Sequence, residues 1–188
     1  MCADRWSWEK CQDKLRTLRG RLGFPDTPSL HFLRLSLSLE TGELRDELKD
    51  KKYPEVEETV CWILSGYAEA KPLTETQKLI SFSHTPGGAA YNAAFVRRAV
   101  QPIERVFGSN AEKLWTAAKS FDGERLNHGD CSVKIYALPL VPIIVILHAA
   151  TSEFSASANM LFDSTISNYL TTEQIAGLGQ FTALRLAQ

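Results

Sequence analysis

Between His31 and Leu39 apolar and polar residues alternate, with Leu33, Leu35, Leu37 and Leu39 on one side and Arg34, Ser36 and Ser38 on the other. A period of two marks a strand with one buried face, so a one-sided sheet is expected to begin here. Elsewhere the period lengthens to that of a helix. Trp8, Cys11, Leu15 and Leu18 recur at helical intervals within 6–21, closing near Gly20 to Gly23. Val56, Val60, Ile63, Leu64 and Tyr67 share one face of a helix expected over 55–70, with Glu57, Glu58 and Glu69 on its polar side. Between these elements, the prolines of 24–29 make a connector and Thr41-Gly42 a turn. The charge-dense stretch 43–54 reads as a solvated turn or short exposed element.

Residues 78–82 read as a short strand leading into His84-Thr-Pro-Gly-Gly-Ala-Ala, where the glycines ease steric limits and a helix opens near Ala89. Tyr91, Phe95, Ala99 and Ile103 share its face. Pro102 removes one of its hydrogen bonds, so the helix over 90–107 is expected to be either kinked or split. A further helix over 110–120 turns Leu114, Ala117 and Ala118 inward. Three strands follow, 131–137, 143–148 and 158–162, most simply a meander with Pro139 and Pro142 at its first connection. Thr171, with Gln174 three residues on, makes a capping-box start for a helix from Thr172 to about Leu178. Helices mixed with antiparallel strands, without regular alternation, predict a single α+β domain over 1–188, mostly antiparallel sheet with packed helices. Its N-terminal helix spans about 6–21, and its C-terminal meander and helix about 128–188.

Composition narrows the function classes. At 188 residues, 44% hydrophobic and 23% charged, the chain is an ordinary globular domain able to bury a core. Its 21 basic and 22 acidic residues are interspersed, so no footprint for a nucleic-acid backbone is present. The first twenty residues are charged throughout and contain no apolar signal region. The longest apolar run, 138–147, holds two prolines and is about half of the roughly 20 residues a spanning helix needs. A cytoplasmic protein without membrane or nucleic-acid partners is expected. Cys2, Cys11, Cys61 and Cys131 are scattered without any Cys-x-x-Cys, which predicts free thiols, no iron–sulfur cluster and no metal nest. Cys61 lies on an apolar helix face and reads as a small buried hydrophobe.

A longer set of signals runs in order along the chain: Pro72-Leu73-Thr74, Phe82 with Pro86-Gly87-Gly88, Tyr91 with Phe95, Phe107-Gly108, Gly129-Asp130, Leu138-Pro139, Glu153-Phe154, Leu161-Phe162-Asp163 and Tyr169-Leu170. In this order the sequence resembles the uncharacterised bacterial and archaeal family called domain of unknown function 3786. The resemblance implies a place in anaerobic metabolism. It also implies a link to corrinoid proteins, because some relatives are fused to a four-cysteine iron–sulfur segment of a type found there; that segment is missing from this sequence. The strand ending at His148 typically ends in tryptophan in such relatives. Their acidic patch before Glu153 is replaced here by Ala149-Ala150-Thr151-Ser152.

Three sets of residues carry candidate chemistry. His84, His128 and His148 stand at strand ends or in loops, and an imidazole is the natural axial ligand of haem iron or a corrinoid metal. Asp130, Glu153 and Asp163 flank the meander strands and, if they converge, permit cation coordination or acid–base catalysis; each is equally accounted for as a turn-capping acid. Pro86-Gly87-Gly88 opens a helix that also carries Arg97-Arg98, an arrangement suited to an anionic or phosphate group, although Gly-Gly alone is a weak signal and a plain turn is the favoured reading. No Gly-x-Ser-x-Gly elbow or cysteine-protease signature is present. The leading expectation is a non-enzymatic cofactor-binding protein for a corrinoid or haem-like tetrapyrrole, with His148 or His128 as axial ligand and His84, Asp130, Glu153 and Asp163 as further cofactor-binding candidates. The alternatives are an accessory module docking on a redox or methyl-transfer enzyme, and a metal-dependent enzyme using the three carboxylates.

Overall fold

The structure, a computed structural model, describes residues 6–188. It is an α+β arrangement of two antiparallel sheets with packed helices. Helix α1 (Trp8–Arg16) buries Trp8, Cys11 and Leu15, the residues its period picks out, and is shorter than expected because turns take over after Arg16. The alternating stretch that follows is two strands. β1 (Ser29–Phe32) and β2 (Leu35–Ser38) are joined by Leu33 and Arg34, with φ of 46° and 55°. A two-residue hairpin of this left-handed kind normally uses Asn or Gly. Here the Leu33 side chain is buried, and the carbonyls of both residues accept hydrogen bonds from the Arg185 guanidinium at 3.2 Å. Tertiary contacts therefore hold a turn that local chemistry does not announce.

The charged stretch read as a solvated turn completes this sheet as β3 (Leu44–Asp46) and β4 (Lys51–Lys52), in the order β1-β2-β3-β4. Leu44 and Asp46 point inward and Arg45 is half-buried, an alternation that Glu43, Arg45 and Glu47 mask in the sequence.

Helix α2 (Glu57–Tyr67) follows a short 3-10 turn and buries the predicted face. The second sheet has the order β5-β9-β8-β7-β6, with β5 (Leu79–Ser81) and β6 (Glu124–Leu126) at its edges. Its centre is the expected meander: β7 (Cys131–Leu138), β8 (Val141–His148) and β9 (Ser157–Asp163). Pro142 sits at a register irregularity between β7 and β8, a place where its missing N–H does least harm. Most residues of β7 and β8 are buried on both faces, so these strands read as apolar runs rather than alternations.

The helix expected over 90–107 is split. α3 (Gly88–Phe95) and α4 (Gln101–Phe107) are separated by a π-turn over Val96–Val100, in which Gln101 N–H donates five residues back to the Val96 carbonyl. Pro102 is the cause in the sequence, since it offers no N–H to the Arg98 carbonyl. α5 (Glu112–Lys119) and the short α6 (Ile166–Tyr169) precede α7 (Thr172–Leu186). The Thr171–Gln174 capping box forms as expected. α7 nevertheless runs eight residues past Leu178, because Gly177 and Gly179 serve as contact points: a Cβ on the first would come within 2.6 Å of Trp62, and on the second within 2.7 Å of Phe95. Buried residues from Trp8 to Leu186 form one continuous apolar cluster.

Arg185 of α7 ties that helix to the first sheet. It is 1% exposed, pairs with the equally buried Asp46 through both guanidinium ends at 2.6 and 3.0 Å, and also donates to the Leu33 and Arg34 carbonyls. Among the described residues, no helix is long and apolar enough to cross a membrane.

Candidate functional site

The meander distributes the candidate residues along its length. His148 ends β8 opposite Ser157, and its imidazole lies over Gly129. Asp130 is at the same end: its N–H donates to the Leu147 carbonyl at 3.0 Å and its carboxylate accepts the Ala149 N–H at 2.8 Å. His128, whose N–H is held by Ser132 Oγ at 2.9 Å, is two residues away. Glu153 belongs to the adjoining β8–β9 loop, which Thr151 Oγ1 organises by accepting the Glu153 and Phe154 N–H groups. All four side chains are exposed. His84 lies across the sheet, beyond β9, and bonds Ser81 Oγ at 2.7 Å.

Asp163 is not with them. It closes the opposite end of β9, six residues from Ser157, or roughly 20 Å at strand rise. The convergence of Asp130, Glu153 and Asp163 required for a metal-dependent enzyme therefore does not occur, because antiparallel pairing sends the two ends of β9 to opposite rims. Among the described residues no group of three or more His, Cys, Asp or Glu side chains is placed to hold a metal ion.

Asp163 instead organises the chain around it. Its carboxylate accepts the Thr165 N–H and hydroxyl at 2.9 and 2.8 Å, the Gln77 N–H at 2.7 Å and the Thr76 hydroxyl at 3.0 Å. Burial works against its charge, but the Thr165 and Thr76 hydrogen bonds prevail and hold the carboxyl below its ordinary value. The three described cysteines, Cys11, Cys61 and Cys131, are free and buried, and burial is the main cause that pushes the Cys61 thiol up to about 12. A thiol so disposed is a packing group rather than a nucleophile. Cys2 lies outside the described residues.

A cleft of about 350 Å³ opens elsewhere, between the α3 segment and α7, with α2 at its side. That volume is at the lower end of the range for small-molecule sites. Tyr91, Ala94, Phe95 and Arg98 contribute one face at helical spacing. Thr172, Glu173, Ala176, Gly177 and Gln180 contribute the facing one, and Trp62 and Phe82 complete the walls. Phe82 and Phe95 stack at 4.3 Å between centroids and 15° between planes, which fixes the aromatic floor. Tyr91, expected to share the buried face of its helix, is 60% exposed and borders the cleft, while Phe95, Ala99 and Ile103 do go inward.

Arg98 and Glu173 both border the cleft, yet they do not pair with each other, and neither side chain has a hydrogen bond or ion pair with another described residue. This contrasts with the hollow between the two sheets, where His31 is paired with Glu47 at 2.6 Å and Arg34 with Asp122 at 2.7 Å. A larger, more open hollow beside the end of α7 lacks an aromatic wall of this kind, having only Phe107 and Phe121. None of His84, His128 and His148 borders the cleft. Its residues were missed because the i, i+3, i+4, i+7 spacing of 91–98 is equally that of a core face. The signals that separate the two cases are an arginine completing the stripe, a proline shortly after it, and glycines in the helix opposite.

No curated protein and no solved structure matches the chain. Residues 26–185, most of the sequence, match the family described as domain of unknown function (DUF3786), in the segment that holds both sheets and every wall of the cleft. The chain belongs to that family.

Proposed function

We propose that the protein is a non-enzymatic binding domain that takes up a small amphipathic molecule, in the manner of a cofactor-binding protein, in the cleft between α3 and α7. The observation that carries this reading is an aromatic-walled opening bordered by two charges that the protein leaves unpaired. Aromatic walls supply apolar contact area and the few polar groups fix orientation, which is the usual division of labour in ligand sites. Catalysis is not part of the reading, because the cleft brings no histidine, cysteine or pair of carboxylates together.

Titration with the neutral fluorophore N-phenyl-1-naphthylamine tests it. Saturable enhancement is expected for the natural sequence and its loss in Ala94→Leu and Ala176→Leu, which fill the cleft from either side, with near-ultraviolet circular dichroism unchanged. Enhancement that persists in both variants overturns the assignment of the cleft. A protein axial ligand for a corrinoid or haem-like tetrapyrrole would come from an exposed imidazole, and His128 and His148 lie together at the open sheet end. Haemin and cobalamin absorption titrations with His148→Ala and His128→Ala address that cofactor class. Blank titrations throughout favour instead an accessory module that docks on a redox or methyl-transfer enzyme.

A further inference from the structure

We infer that the ligand of this cleft is a flat organic oxyanion, an aromatic or conjugated body bearing a carboxylate, sulfonate or phosphate, whose anionic group is received by Arg98. The inference rests on the cleft being a binding site and adds the class of ligand it takes.

The charge of the cleft decides the class. Two ionised groups border it, and they are not equivalent. Glu173 is the second residue of α7, behind the Thr171 cap, where the positive end of a fifteen-residue helix already compensates a carboxylate. Arg98 lies in the π-turn three residues past the end of α3, next to Arg97, in a helical run that continues unbroken into α4, and without an acidic partner among the described residues. The uncompensated charge of the cleft is therefore positive. A guanidinium presents a planar fork of donors that matches an oxyanion bidentately, and it tolerates an aromatic environment because it is weakly hydrated.

Position follows from Pro102. A π-turn departs from the regular ladder and recurs at functional sites in helices. In this chain it falls where the stripe Tyr91, Ala94, Phe95 reaches its fourth member, Arg98. Trp62 and Tyr91 border the same opening as Arg98, so an aromatic body between the two helices is within reach of both the rings and the guanidinium. Lys14, a neighbouring cation, is not an equivalent receptor, because it is already paired with Glu69.

Two dyes that differ mainly by a sulfonate test this: 8-anilinonaphthalene-1-sulfonate and the neutral N-phenyl-1-naphthylamine. Arg98→Gln should weaken the sulfonate roughly five- to tenfold, the size of a charge-assisted contact at a solvent-open site, while leaving the neutral dye within about twofold. Arg98→Lys should restore part of the loss. Glu173→Gln should tighten the sulfonate about two- to threefold by removing a like charge. Near-ultraviolet circular dichroism of each variant must match the natural sequence, since the sulfonate also binds loosely packed states. Equal weakening of both dyes in Arg98→Gln, or no change for the sulfonate, overturns the oxyanion assignment while the cleft stands. Failure of both dyes to bind the natural sequence overturns the cleft and the assignment together.

Discussion

At the scale of the residue, the side chains that look most chemical in the sequence are mostly occupied by structure. Asp163 illustrates this. Its folded pKa is depressed, so its contribution to stability is complete above the ordinary aspartate range and is lost as pH falls through the lowered native value. Asp46 behaves alike: burial opposes its charge, but the hydrogen bonds and charge of Arg185 prevail. Thermal stability should therefore decline below about pH 4, and Asp163→Asn should lose part of that acid-side slope when melting is followed across pH. The reverse holds for Ser65, which is buried in α2 with a hydroxyl that has no partner among the described residues. Ser65→Ala should raise stability by about 1 kcal/mol in denaturant melts, because an unsatisfied buried hydroxyl is removed; a loss of that size would show that the hydroxyl has a partner after all. Cys11, Cys61 and Cys131 should resist a thiol reagent until the protein is unfolded. The sequence made Cys61 legible as packing, since its helical face is unambiguous. It could not separate Asp163 from Asp130 and Glu153, because which rim of a meander an acid occupies depends on strand pairing rather than on neighbours in the chain.

At the scale of the element, legibility followed how local the cause was. The capping box of α7 needs only Thr171 and Gln174 and is visible in four letters. Thr171→Ala should accordingly cost about 1 kcal/mol, measurable as a lowered denaturation midpoint. Pro102 likewise announces an interruption, and the π-turn is its form. The β1–β2 hairpin was hidden for the opposite reason. Leu33-Arg34 carries no turn preference, and what forces it is a guanidinium over 150 residues later in the chain. The continuation of α7 was hidden in the same way: Gly177 and Gly179 look like terminators until Trp62 and Phe95 are placed against them. The cleft thus depends on two features that local reasoning treats as helix faults.

At the scale of the whole molecule, the α+β class and the central meander were legible, whereas the division into two sheets was not. It arises from β3 and β4, whose charged residues conceal a buried Leu44 and Asp46. The bond between Asp46 and Arg185 holds the first sheet to the last helix, and its energetics are asymmetric. Arg185→Met should destabilise by about 3–5 kcal/mol, since it leaves Asp46 buried without a partner, while adding Asp46→Leu should recover much of that loss. A double-mutant cycle on unfolding free energies measures this coupling directly. The same pair spans 139 residues of sequence, which gives it a meaning in time as well as in space. While the protein is being synthesised, the residues of the first sheet are made long before residue 185 exists, so Asp46 has no arginine to pair with until the last helix has been made. The buried ion pair therefore cannot form before the last helix is available, whatever the order in which the rest of the chain folds.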